Sequence, residues 1–172
     1  MQIGEKAQDF FVEGILGEKI SKYSLADFRG KWIVLFFYPL DFTAVCPTEI
    51  RGFNAGLEEF KKANSVVLGM SVDSVHSHKA WVSGNLGKIG FPLLSDLTKE
   101  VSEKYGVLKK DSGVAFRATF IIDPEGIVQS IGVNNLDVGR SVSETLRLLK
   151  AFQTKGLCPV DWKPGEKTLK AN

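Results

Sequence analysis

KWIVLFFYPLDFTAVCPTEI, residues 31–50, passes from an apolar run to a proline, a polar turn and a cysteine. The run Trp32–Tyr38 is β-branched and aromatic without alternation, which predicts a strand covered on both faces. Pro39 closes it. Beyond the turn, Cys46-Pro47-Thr48-Glu49 reads as a helix start, because proline is favoured at the first helical position. Ile50, Phe53, Leu57 and Phe60 then recur at helical spacing as one apolar stripe. A lone cysteine at such a junction is either a small buried hydrophobe or a reactive thiolate.

Working outward, FFVEGILGEKISKYSL reads as a hairpin turning near Gly17, and SVVLGMSVD as a second buried strand. SVHSHKAWVSGN and LTKEVSEKYGV predict short helices. AFRATFIID, the turn PEG and IVQSIGV predict a hairpin, since Asp-Pro-Glu-Gly is turn chemistry. SVSETLRLLKAFQ is the last helix, with Val142, Leu146, Leu149 and Phe152 on its apolar face. Strands alternating with helices, then a hairpin and a terminal helix, imply an α/β fold: a thioredoxin-like mixed sheet flanked by helices, with an N-terminal hairpin extension. The tail from residue 154 to 172 is rich in Gly, Pro and Lys and is expected to be extended or mobile.

The 172 residues, 44% hydrophobic, fit a single domain spanning 1–172. A net charge of +2 argues against an electrostatic nucleic-acid partner. The longest apolar run is far short of the roughly 20 residues that cross a membrane. MQIGEKAQDF has no basic segment leading into an apolar one, so no signal peptide and a cytoplasmic setting are expected. The two cysteines, Cys46 and Cys158, are then either inert or redox-active, because a reducing compartment disfavours a permanent disulfide.

The free N–H groups and dipole at a helix start favour an anion, so the position of Cys46 suits a thiolate. A single-loop dithiol would place cysteine at the fourth position of the motif, where Glu49 stands; the other candidate thiol is Cys158. Thr43, three residues ahead of Cys46, carries a hydroxyl able to donate or accept toward a peroxide, or else to cap a loop backbone group. Pro39 either shields the thiolate from water or simply stops the strand. Arg117 lies in an otherwise apolar strand, where a charge must be paired, and Glu49 could hold its guanidinium by a bidentate contact. The alternative is an edge arginine reaching solvent. His76 and His78, two apart on a helix, point to opposite sides, so no metal site is expected. GNLGKIG lacks the ending of a phosphate loop. Trp81 and Trp162 read as packing residues.

With these residues in view, the chain resembles a typical 2-Cys peroxiredoxin of the alkyl hydroperoxide reductase and thiol-specific antioxidant type, over nearly its whole length. Pro39-x-x-x-Thr43-x-x-Cys46 is similar to the peroxidatic signature. SVDSVHSHKAW, FRATFIIDPEGIV and GLCPVDWKPGEKTL match further family segments. The resemblance implies that Cys46 is the peroxidatic cysteine and Cys158 the resolving one. It makes Thr43, Pro39 and Arg117 the rest of the peroxide site, with Glu49 orienting the arginine. It also implies a homodimer with an intersubunit Cys46–Cys158 disulfide, often assembled as a decamer. Three features depart from the pattern: Ala44 replaces a frequent phenylalanine, Asn85 replaces a glycine in SGNLGKIGF, and the sequence runs 14 residues past Cys158 without a Tyr-Phe helix.

The expectation is a thiol peroxidase. Cys46 attacks hydrogen peroxide or a small organic hydroperoxide, the sulfenic acid condenses with Cys158, and thioredoxin or a related dithiol protein restores both thiols. No metal, flavin or nucleotide cofactor is implied. The rival reading is a redox sensor or chaperone-like binding module on the same fold; a disulfide oxidoreductase is disfavoured by Glu49.

Overall fold

In the computed structural model, which describes residues 1–170, strand β3 (Trp32–Phe37) lies near the middle of a seven-stranded sheet. Its side chains alternate between two cores. Val34, Phe36 and Tyr38 face one, while Ile33, Leu35 and Phe37 face the other. A run buried on both sides has no need of polar alternation, which accounts for its composition.

The other strands are β1 (Phe11–Leu16), β2 (Lys19–Ser24), β4 (Ser65–Ser71), β5 (Leu93–Ser95), β8 (Arg117–Ile122) and β9 (Val128–Asn134), in the order β2-β1-β5-β4-β3-β8-β9. β3 runs parallel to β4 and antiparallel to β8, so the sheet is mixed as expected. β1–β2 and β8–β9 are the two expected hairpins. β5 and the two-residue pair β6 (Leu108–Lys109) and β7 (Val114–Ala115) were not foreseen; they are too short to show a period.

Helices α1 (Cys46–Ala55), α2 (Leu57–Lys62), α3 (Val75–Trp81) and α5 (Val142–Gln153) supply Phe53, Phe60, Trp81 and Leu149 to the first core. α4 (Glu100–Lys104) contributes Val101 to the second. The apolar stripe foreseen from Ile50 to Phe60 is broken at Gly56, which separates α1 from α2. Ser74 and Ser141 cap α3 and α5 by accepting from the N–H groups of Ser77 and Glu144.

Among its described residues the C-terminal segment has no helix or named strand and is mostly exposed, in keeping with an extended tail, but it is anchored at a few points. Leu157 and Leu169 pair as an isolated bridge, Trp162 is buried, and Arg147 Nη1 donates to the Trp162 carbonyl at 3.0 Å. Burial of one indole and one arginine contact bind a Gly/Pro-rich segment to α5. Residues 171–172 of that segment lie outside the described residues.

Gly69 on β4 is a site of close packing on the sheet. A Cβ there would sit 2.8 Å from Phe36 Cζ and 2.9 Å from Leu93 Cδ2, while Phe36 is stacked on Phe53 at 4.4 Å. Gly69→Ala is therefore expected to destabilise the protein by roughly 1–3 kcal/mol through overpacking. Urea unfolding should show a lower midpoint at an unchanged m-value; an unchanged midpoint would mean that the Phe36 ring moves freely.

Candidate active site

The Tyr38 N–H donates to Met70 O at 2.9 Å, extending the strand by one residue before Pro39, which is buried, turns the chain. The loop then passes through Phe42, whose φ of 57° is left-handed and uncommon for a bulky residue. Its exposed ring lies 5.6 Å from that of Trp81. Thr43 is exposed, and its hydroxyl donates to Leu40 O at 2.9 Å, the loop-capping alternative foreseen for it. Helix α1 begins at Cys46, whose side chain is fully buried.

Among the described residues, the sole hydrogen-bond donor to Cys46 Sγ is Arg117, whose Nη1 lies 3.4 Å away. The first-turn amides do not serve it: Pro47 has no N–H, and the Thr48 and Glu49 N–H groups both point at Val45 O. The dipole of the helix start remains, but the specific contact is a fixed cation. Arg117 Nη1 also donates to Glu49 Oε2 at 2.7 Å, and its Nε to Leu136 O at 2.7 Å. An arginine in an apolar strand is thus paired rather than extended to solvent.

The bidentate partner of Glu49 is a different arginine. Arg140 Nε donates to Oε1 at 2.9 Å and Nη2 to Oε2 at 2.8 Å, with the Arg140 backbone N–H adding a third bond. Arg117 makes a single contact, which corrects the bidentate role foreseen for it. Arg140 Nη1 also donates to Phe37 O and Ala118 O at 2.6 Å each, and the guanidinium lies 5.1 Å above the Phe36 ring. One side chain therefore ties the ends of β3 and β8 to α1. Arg140 has no local signal, since NNLDVGRS has the composition of an exposed polar loop.

Burial opposes the charge of Glu49, but hydrogen bonds and charge from Arg140, and then the charge of Arg117, outweigh it and hold its pKa below the usual 4.5. Burial likewise works against Arg117, whose pKa is nonetheless raised by Cys46 and Glu49. Burial lowers that of Arg140 despite Glu49. Two guanidinium groups against one carboxylate leave one positive charge uncompensated, beside the sulfur. A thiolate at Cys46 would complete that balance of charge. A sulfur so ionised would be a nucleophile, and Arg117 could then stabilise charge moving onto a leaving atom.

Cys158 is not part of this cluster. Its Sγ lies 3.7 Å from Ala151 O, beyond the C-terminal end of α5, in a groove shared with Trp32, Pro124 and Phe152. Trp32 begins β3 and Pro124 follows β8, whereas Arg140 touches Phe37 O at the far end of β3 and Arg117 begins β8. The cysteines therefore occupy opposite ends of the sheet, roughly 16 Å apart along a six-residue strand. Both are free thiols. His76 and His78 do point apart, the first exposed and the second fully buried, and Trp81 and Trp162 are both packing residues.

The family model described as AhpC/TSA matches residues 3–131, which include Cys46, Glu49 and Arg117. The chain is 50% identical to peroxiredoxin-2 of Mus musculus, covering 99% of this chain and 91% of that one. It is 49% identical to a putative peroxiredoxin in the rubredoxin operon of Clostridium pasteurianum, covering 97% and 98%. The crystal structure of reduced Plasmodium vivax 2-Cys peroxiredoxin superimposes with a TM-score of 0.94 at 42% identity, covering 98% of this chain and 92% of that one.

Glu49→Gln removes the charge that pairs both arginines. It is expected to slow peroxide attack by Cys46 about tenfold or more, read as a second-order rate by competition or stopped flow. It should also cost roughly 3 kcal/mol, since one partner of a buried ion cluster is lost. The sign with pH follows from the lowered carboxyl pKa. The stabilisation is complete above 4.5 and is lost as pH falls through the lower folded-state value. Acid unfolding of Glu49→Gln should lack that component; identical acid profiles would remove the carboxylate from the centre of the cluster.

Proposed function

The chain belongs to the AhpC/TSA family and is a peroxiredoxin, a thiol peroxidase, and from there we propose that Cys46 is the attacking thiol and Cys158 the resolving one. The observation that carries the first assignment is the 3.4 Å contact of Arg117 Nη1 with a sulfur beside a net positive, buried cluster. Cys46 thiolate attacks the terminal oxygen of a hydroperoxide. The S–O bond forms as the O–O bond breaks, sulfur is oxidised to the sulfenic acid, and the released oxygen takes a proton from water to leave as water or an alcohol. Arg117 steadies the charge passing between the oxygens. Thr43, whose proton is directed to Leu40 O, keeps lone pairs to accept the hydroperoxide O–H, and Pro39 limits water at the base of the loop. Full burial of Cys46 suits hydrogen peroxide and small organic hydroperoxides.

The second step condenses Cys158 S–H with the Cys46 sulfenic acid, forming the disulfide and expelling water. A disulfide needs Cα atoms about 4.4–6.8 Å apart, and the two ends of one sheet do not meet that. Support for a partner subunit comes from the edge of the sheet. β9 is an edge strand, and among the described residues only its first residue is engaged on the outer side, by the N-terminal segment at Gly4 and Glu5, which leaves an edge able to pair with a second copy. We infer a homodimer in which Cys46 of one chain meets Cys158 of the other, with a decamer as its assembled form. The first turn of α1 must open to release a buried sulfur. Thioredoxin or a related dithiol protein then returns both thiols by exchange. No helix among the described residues is long and apolar enough to cross a membrane, and a reducing cytoplasm suits the cycle.

Peroxide is expected to produce a covalent dimer on a non-reducing gel. Cys158→Ser should abolish the link and turnover with thioredoxin while the first attack persists; Cys46→Ser should abolish both. A monomer with an internal Cys46–Cys158 bond would overturn the intersubunit arrangement. Normal turnover of Cys158→Ser would overturn the resolving role.

A further inference from the structure

Asp41 lies five residues ahead of Cys46 in the same loop and is buried, as is His78 on α3; their side chains are 1% and 0% exposed. Asp41 accepts three hydrogen bonds. Tyr38 Oη donates to Oδ1 at 2.9 Å, Ser77 Oγ donates to Oδ2 at 2.8 Å, and His78 Nδ1 lies 2.8 Å from Oδ2. The other ring nitrogen of His78, Nε2, faces Leu94 O at 3.1 Å. A carbonyl oxygen has no proton to give, and a carboxylate already receiving two hydroxyl protons acts as an acceptor. Neutral imidazole has a single N–H and would set a lone pair against one of these acceptors. With two N–H groups the ring satisfies both.

The remaining groups around the pair support the loop in turn. The Asp41 N–H donates to Asp73 Oδ2 at 2.9 Å, and Asp73 also receives Ser71 Oγ at 2.7 Å. Burial first, then the charge of Asp41, raises the pKa of Tyr38, so its hydroxyl stays a donor. One face of α3 thereby holds the loop at two points: Ser77 and His78 on Asp41, and Trp81 against the left-handed Phe42. Nothing in the peroxide chemistry uses His78, yet it is fully buried, with Nδ1 directed at this loop and Nε2 at Leu94 O on β5.

We propose that His78, bonded through both ring N–H groups to Asp41 and Leu94 O, is a positioning residue that latches the 38–42 loop closed and so sets Cys46 against Arg117. The functional part rests on Cys46 as the attacking thiol; the ring state does not. The latch favours attack, which needs the loop closed, and opposes the later disulfide step, which needs it open.

The test begins with reduced wild-type protein labelled with 15N at histidine, near neutral pH. Two ring N–H signals are expected for His78, assigned by their loss in His78→Gln; a single ring N–H would overturn the proposal whatever the enzyme does. Kinetically, His78→Gln should slow peroxide attack about fivefold or more while the sulfenic-to-disulfide step keeps or gains speed. A mere loss of packing would slow both. Asp41→Asn should show the same split, and the double variant should be no worse than either single variant. Additive losses, or equal slowing of both steps, would overturn the latch. If His78→Gln does not fold, Asp41→Asn and the wild-type spectrum decide the matter. Should Cys46→Ser still consume peroxide, the reading of Cys46 fails while the ring result stands.

Discussion

A single carboxylate, Glu49, joins parts of the chain that have no other reason to converge. It sits in the first turn of α1, receives Arg117 from the start of β8, and receives both side chain and backbone of Arg140 from the loop before α5. Each arginine buried alone would be prohibitive, and so would the carboxylate. Together they are tolerable, and they orient the helix that begins with Cys46. The cluster lies beside the sulfur because one of the two arginines that pair Glu49, Arg117, also touches Cys46.

Most of the architecture was legible because apolar burial leaves a periodic trace. The run from Trp32 to Tyr38 announced a central strand, the stripe from Ile50 to Phe60 announced helix, and Asp-Pro-Glu-Gly announced the β8–β9 turn. The convergence of Cys46, Glu49 and Arg117 was also legible, because a charge amid apolar residues needs a partner. Arg140 and the Asp41–His78 pair were not. Their burial is produced by elements distant in sequence, and in their own neighbourhoods polar residues look like solvent-facing loop or helix. The extended tail was legible but its anchor was not, because Gly and Pro describe backbone freedom and not the burial of Trp162.

The two cores have different duties around this site. The second, containing Leu35, Phe37 and Phe120, is predominantly apolar and packs against the opposite face of the sheet. The first holds Cys46 among Phe53, Trp81 and Leu149 and is bordered by hydrogen-bonded polar groups at the ends of β3 and β4. Rigid packing below and directional polar contacts above allow the loop to occupy one defined position without being welded there.

The location of the two sulfurs at opposite ends of one sheet has a bearing on abundance. In the proposed cycle the first step needs a single chain, whereas the second needs two chains in register. Mass action therefore acts on one step and not on the other. Where the protein is plentiful, subunits find each other and oxidised sulfur is promptly returned. Where it is scarce, a lone chain still takes the oxidant but keeps its sulfenic acid, exposed to the next equivalent of peroxide and to irreversible loss. The amount of protein made then determines whether each molecule serves as a catalyst or as a single-use scavenger.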